Sequence, residues 1–272
     1  MITRTERHII NQNHPLKDQI DHLCFLTKNL FNQANYQIRQ HFFKTNEILS
    51  YNQVYHLLKK GPDYKSLPAQ TAQQTLRQLD QAWRSFKEAT KAYEENPKKF
   101  TGKPKIVKYK HKIKGRSPVY FTGNQQVRIK DNLPKLVNLP PIKTKVTTKI
   151  NQVRFIPQAT CFIIEIVYSK EVRSYTQETP KHYLSIDLGV NNLATCVNSI
   201  GLRPFTVNGR IPKSINQYYN KVKAELQSKL SKDKKSSKQI RQITFKRNNR
   251  INDYLHKTSR FIVNYCIDNN ID

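Results

Sequence analysis

The sequence predicts an α+β protein, with helices in its first third and again at its end. Three observations carry this. Apolar residues recur every three or four positions over residues 18–43 and 69–93. Over residues 118–168 that period gives way to short β-branched and aromatic runs divided by turn residues. After Tyr183, three short apolar strands precede two long helical stretches.

The first helix carries the stripe Leu23, Leu26, Leu30, Ala34, Ile38 and Phe42. Gly61-Pro62 breaks the chain. The next helix buries Ala72, Leu76, Leu79, Trp83, Phe86 and Tyr93, and Pro97 stops it. Its other face carries Arg77, Arg84, Lys87 and Lys91. Then come VYF, QVRI, LVNL, TKVTTKI, VRFIP and FIIEIVY, read as strands of a small antiparallel unit with turns at Gly123-Asn124, Asp131-Asn132 and Pro140-Pro141. Residues 171–182 are polar and read as a linker. YLSID, LATCV and RPFTV follow as strands. Helices at 213–230 and 237–269 flank a turn over 232–237, which predicts an antiparallel hairpin.

Charge narrows the function. The chain of 272 residues carries 48 Lys+Arg against 19 Asp+Glu, a net +29. Such a chain repels itself unless a polyanion neutralises it, and nucleic acid is the default partner. No apolar run approaches a membrane span, so a membrane is not expected as a partner. No signal-peptide core opens the chain. Lys98 to Lys130 holds eleven basic residues and no acidic one. Lys103, Lys105, Lys108, Lys110, Lys112, Lys114 and Arg116 fall there, with Tyr109 among them. Such a stretch is either a solvated linker or a grip on phosphates with an aromatic for bases. A second basic block, residues 229–250, includes Lys246 and Arg247 and is either a water-facing hairpin or a phosphate track.

Cys24, Cys161, Cys196 and Cys266 show no C-x-x-C spacing, so no zinc site is expected. They read as plain apolar residues in a reducing cytoplasm. Asp187 ends the apolar strand YLSID before a glycine turn. A carboxylate held on a strand is a hard-oxygen ligand for Mg²⁺, although most such aspartates form turns or cap helices.

The wider sequence resembles the OrfB/TnpB family of insertion-sequence proteins. The match includes Asp187-Leu188-Gly189, Asn191-Asn192-Leu193-Ala194-Thr195, Asn208-Gly209-Arg210 and Lys213-Ser214-Ile215-Asn216-Gln217-Tyr218-Tyr219-Asn220-Lys221. Upstream, Lys28-Asn29-Leu30, Leu79-Asp80-Gln81-Ala82-Trp83, and Pro104-Lys105 through Arg116 also look like the family. The resemblance implies a transposon-associated, RNA-guided DNA endonuclease with guide RNA and target DNA as partners. It implies a β-barrel "wedge" over residues 1–170 with an inserted helical bundle at about 18–95. The linker and the N-terminal part of an RNase H-like (RuvC) nuclease domain, residues 183–272, would follow. Asp187 matches the first catalytic, metal-binding carboxylate, and Mg²⁺ is the cofactor the family implies. The location implied is a prokaryotic cytoplasm, close to the nucleoid.

The chain departs from that pattern in its acids. A fourth strand, the further carboxylates and the zinc-ribbon cysteines do not occur within these 272 residues. A truncated or split protein is therefore the expectation, completed by a C-terminal fragment. Glu165, Glu171 and Glu225 are poor replacements by position. The enzyme reading predicts Asp187-dependent cleavage in the family but none by this chain alone. The other reading is a nuclease-dead RNA- or DNA-binding protein, or an inactive remnant of a mobile element.

Overall fold

The computed structural model describes residues 1–123, 126–130, 133–136, 139–171, 181–231, 234 and 236–272. Asn124, the Asp131-Asn132 turn, the middle of LVNL, most of the 171–182 linker and half of the 232–237 turn lie outside them. The chain divides into two compact units, Met1–Val172 and Arg173–Asp272. The architecture is α+β with antiparallel sheets. Among the described residues no helix is long and apolar enough to cross a membrane.

In the first unit, β1 (Ile2–Ile10) enters a four-stranded sheet of order β1-β6-β5-β2. Its partners are β2 (Val119–Thr122), β5 (Ile150–Pro157) and β6 (Phe162–Lys170), while β3 (Val127–Lys130) and β4 (Leu133–Leu136) form a separate ribbon. The sequence reading passed over β1, although Ile2, Thr3, Thr5, Ile9 and Ile10 are β-branched. The sheet is open among the described residues, with β1 and β2 as its edges, so the expected barrel is not seen closed.

TKVTTKI is not a strand, apart from Ile150, which begins β5. Thr144 Oγ1 and the Lys145 amide bond the Glu6 carboxylate, and the Val146 amide turns back to Thr144 Oγ1. Bonds to the distant Glu6 carboxylate and the Thr144 hydroxyl displace the ladder there, while Ile142 and Val146 still enter the core. That core joins them to Val119, Phe121, Phe155, Ile164 and Ile166.

The helical part comprises α1 (Lys17–Thr45), α2 (Tyr51–Leu58), α3 (Pro62–Lys65) and α4 (Ala69–Glu95), then a single 3-10 turn, Pro97–Lys99. Ser50 caps α2 through a reciprocal box with Gln53. Asn46, left-handed at φ 59°, ends α1. A second core holds Leu30, Ala34, Ile38, Leu76, Leu79 and Trp83. The first half of α1 (Ile20, Cys24) belongs to the sheet core and the second half to the helical core, with Leu23 packed against both. Each such fully buried large side chain contributes about 1.5–3 kcal/mol, so α1 welds the bundle to the sheet.

The second unit is a three-stranded antiparallel sheet, β7 (Leu184–Leu188), β8 (Asn192–Asn198) and β9 (Phe205–Asn208), followed by α5 (Arg210–Ser228) and α6 (Lys238–Asp268). Ser237 caps α6 by accepting from the Ile240 amide. The helices pair through Tyr219 Oη and Thr244 Oγ1 at 2.9 Å. Phe205 of β9 meets Phe261 of α6 edge to face and packs tilted against Tyr265 of the same helix. Gly209 sits under the β7–β8 turn: an added Cβ would lie 2.2 Å from the Val190 carbonyl oxygen. Only a residue without a side chain fits there. Cys24, Cys161 and Cys196 are buried, Cys266 is half-buried, and all four are free thiols.

Candidate nucleic-acid interface

The basic stretch is an ordered strap laid antiparallel along α1. Residues 103–111 have no regular secondary structure, yet their backbone is held by side chains of one helix. Asn32 Nδ2 donates to the Lys110 carbonyl and Asn32 Oδ1 accepts from the Lys110 amide, both at 2.8 Å. Asn35 and Arg39 donate to the Val107 carbonyl at 3.2 and 3.0 Å. Lys28, a residue only 2% exposed, donates through Nζ to the Lys112 carbonyl at 2.6 Å. Burial pulls its ammonium pKa below the ordinary lysine value. The neck is closed by Arg116, whose guanidinium grips both Asp21 oxygens at 2.8 and 2.7 Å, and by the Ser117 amide on the Cys24 carbonyl.

Asp21, Lys28, Asn32, Asn35 and Arg39 follow helical spacing, so they line one stripe beside the apolar one. That polar stripe was the available signal, and the sequence reading missed it. With the backbone turned to α1 and Ile106 and Val107 packed on the helical core, Lys103, Lys105, Lys108, Lys110, Lys112 and Lys114 project into solvent. Tyr109 is 43% exposed. Arg116 stands apart from them, because its guanidinium is engaged by Asp21 and two carbonyls.

The other candidate residues lie elsewhere. On α4, Arg77 covers the Tyr51 ring and Arg84 pairs with Asp80 at 2.8 Å. On α6, Lys246 is exposed, while Arg247 is held by Asn216 at 2.7 Å and lies over Tyr219. Glu165 is buried in the first unit's sheet between Arg7 and Arg154, a structural pairing. Glu225 of α5 pairs with Lys229, the residue that ends the helix.

Asp187 is exposed on β7. It registers with Thr195, which registers with Thr206, so one sheet face carries a polar row. The opposite face carries Ile186, Leu188, Ala194 and Cys196 and borders an apolar cleft closed by Leu255 and Ile262 of α6. Among the described residues no group of three His, Cys, Asp or Glu side chains assembles anywhere. Asp187 alone offers one carboxylate to Mg²⁺, the rest of whose octahedron water and substrate phosphates can fill, but holding two ions for phosphodiester cleavage takes further carboxylates, which the described residues do not gather here.

The decisive comparison concerns this second unit and the strand before it. Residues 165–272 match the family OrfB_IS605, described as a probable transposase. Over that stretch the chain is similar to OrfB-type sequences. No curated protein matches it. Among solved structures, the Cas12f1–sgRNA–target DNA complex is similar at 13% identity and a TM-score of 0.35, over 99% of this chain and 71% of that one. A CRISPR-Cas12f ternary complex is similar at 12% identity and a TM-score of 0.35, over 93% of this chain and 61% of that one.

Proposed function

We propose that this OrfB-like chain grips guide RNA and target DNA as a transposon-associated protein of the RNA-guided DNA endonuclease kind. The observation that carries this is the strap. Six exposed lysines stand on a backbone pinned to a helix, an arrangement that neutralises phosphates without first paying to order the chain. Residues 1–170 are assigned to a wedge with the inserted bundle, 171–182 to a linker, and 183–272 to the N-terminal part of a RuvC-like domain. Arg77, Arg84, Lys246 and Arg247 are assigned to accessory backbone contacts. A cytoplasmic location close to the nucleoid follows from these partners.

Asp187 is assigned as the first carboxylate of the nuclease half-site. No cleavage step is derived for this chain, because the donor set around Asp187 is incomplete among the described residues. The same observation favours a second reading, a binding protein without nuclease activity.

Both readings require salt-sensitive binding. Plotting log affinity against log salt should give a slope that steepens by about 0.9 for each duplex phosphate neutralised and about 0.7 for each single-strand phosphate. Charge reversal at Lys108, Lys110 and Lys112 together should flatten that slope and weaken binding. Binding indifferent to salt would sink the assignment.

A further inference from the structure

Arg39 stands between two exposed rings. Its guanidinium lies 5.4 Å from the Phe43 ring centroid and 4.9 Å from that of Tyr109. Its Nη1 donates to the Val107 carbonyl at 3.0 Å, which fixes the fork in place. Phe43 is 62% and Tyr109 43% exposed, and neither joins a buried cluster, whereas the adjacent Phe42 packs on the helical core. An isolated exposed ring needs no explanation. Two rings gathered on one pinned guanidinium, with Lys44, Lys108 and Lys110 as exposed chain neighbours, do.

We propose that Phe43, Arg39 and Tyr109 form a stacking site for unpaired bases of a single-stranded nucleic acid, whose phosphates run along Lys108 and Lys110. This deepens the nucleic-acid reading above and rests on it. Bases inside a duplex already stack on their neighbours and offer no free face. Bases of a single strand do, and they stack on aromatic rings and guanidinium planes alike. The strap supplies the preorganisation. Asn32 and Asn35 hold the backbone on either side of Tyr109, so the ring is presented without ordering a loop. A ring on a free loop would lose much of its stacking gain to that ordering.

The test is binding of the whole chain to four probes by fluorescence anisotropy. They are oligothymidylate and oligouridylate of about 15 nucleotides, an abasic strand of that length, and a duplex of that length. The variant pair Phe43→Leu with Tyr109→Leu removes both rings at exposed positions, and unchanged thermal unfolding verifies the fold. The expected result is a loss on the order of tenfold on the base-bearing strands, with little change on the abasic strand or the duplex. The thymidylate and uridylate arms tell whether DNA, RNA or both occupy the site. Photocrosslinking of a halogenated-uracil strand to the unmodified chain is a second measurement, expected to label Tyr109 or Phe43. Equal affinity of wild type and ring variant for base-bearing strands, or an equal loss on all four probes, overturns the stacking site. If Lys108→Glu with Lys110→Glu still weakens every probe in that case, the broader interface stands without it. Failure of wild type to bind any probe at low salt overturns both.

Discussion

Asn32 holds Lys110 by both backbone groups, donating to its carbonyl and accepting from its amide at 2.8 Å each. One side chain thereby replaces a strand partner for a residue that has none. The most basic segment of the chain is thus also one of its more constrained irregular segments.

Asn32→Ala should unlatch that contact. Each lost hydrogen bond costs about 0.5–1.5 kcal/mol, and water can replace both at this exposed position. The fold should therefore survive. Trypsin should cut after Lys108, Lys110 or Lys112 several-fold faster in the variant than in wild type, as read by limited proteolysis with mass spectrometry. Equal cutting would mean that Asn32 does not restrain the strap.

The neck of the strap should open in acid. Arg116's hydrogen bonds to Asp21, opposed in part by burial, hold its carboxyl below the ordinary aspartate range. A depressed carboxyl lends stability above its unfolded pKa, about 3.9, and that stability drains as pH falls through the folded value. Wild type and Asp21→Asn should differ in melting temperature at neutral pH and converge below about pH 4. At neutral pH the difference should correspond to about 1–2 kcal/mol, because both partners are only partly buried. A difference that grows on acidification would contradict the assignment.

Gly209→Ala should destabilise the second unit. The added carbon meets two backbone carbonyls of the β7–β8 turn, and backbone cannot move aside cheaply. Overpacking of this kind costs about 1–3 kcal/mol. Hydrogen exchange should rise in β7, β8 and the start of α5 while the first unit keeps its protection.

Asp187→Ala should leave folding within about 0.5 kcal/mol of wild type, since the side chain is exposed on its sheet face. Nucleic-acid affinity should not fall. Purified chain with Mg²⁺ should show no cleavage that depends on Asp187. Robust cutting abolished by the substitution would show that a complete metal site forms around this carboxylate.

The long helices and the apolar strands were legible because single periodicities dominate them. α4 runs Ala69–Glu95, close to the expected 69–93 with its stop at Pro97, and FIIEIVY is the heart of β6. TKVTTKI misled because three of its β-branched residues are threonines, and Thr144 spends its hydroxyl on Glu6, 138 positions away. No local pattern reveals that partner. β1 is hard to read from sequence because charged residues interrupt its alternation, and Arg7 is explained only by Glu165 across the ladder. The lysines of the candidate site were plain in the sequence. The residues that aim them were not, since Asn32, Asn35 and Arg39 look like the ordinary wet side of a helix until the strap lies on it.

Trp83 is the sole tryptophan of the chain, fully buried, and its indole N–H donates to Asn35 Oδ1 at 2.9 Å. The other end of the same amide donates to the strap at Val107. The docked strap is thereby wired to the chain's one indole fluorophore through a single side chain. Lifting the strap frees Asn35 and lets water reach the indole, so the emission should shift to the red without any attached dye. The protein carries its own optical gauge of whether the lysine row is seated, readable in the same cuvette as a nucleic-acid titration.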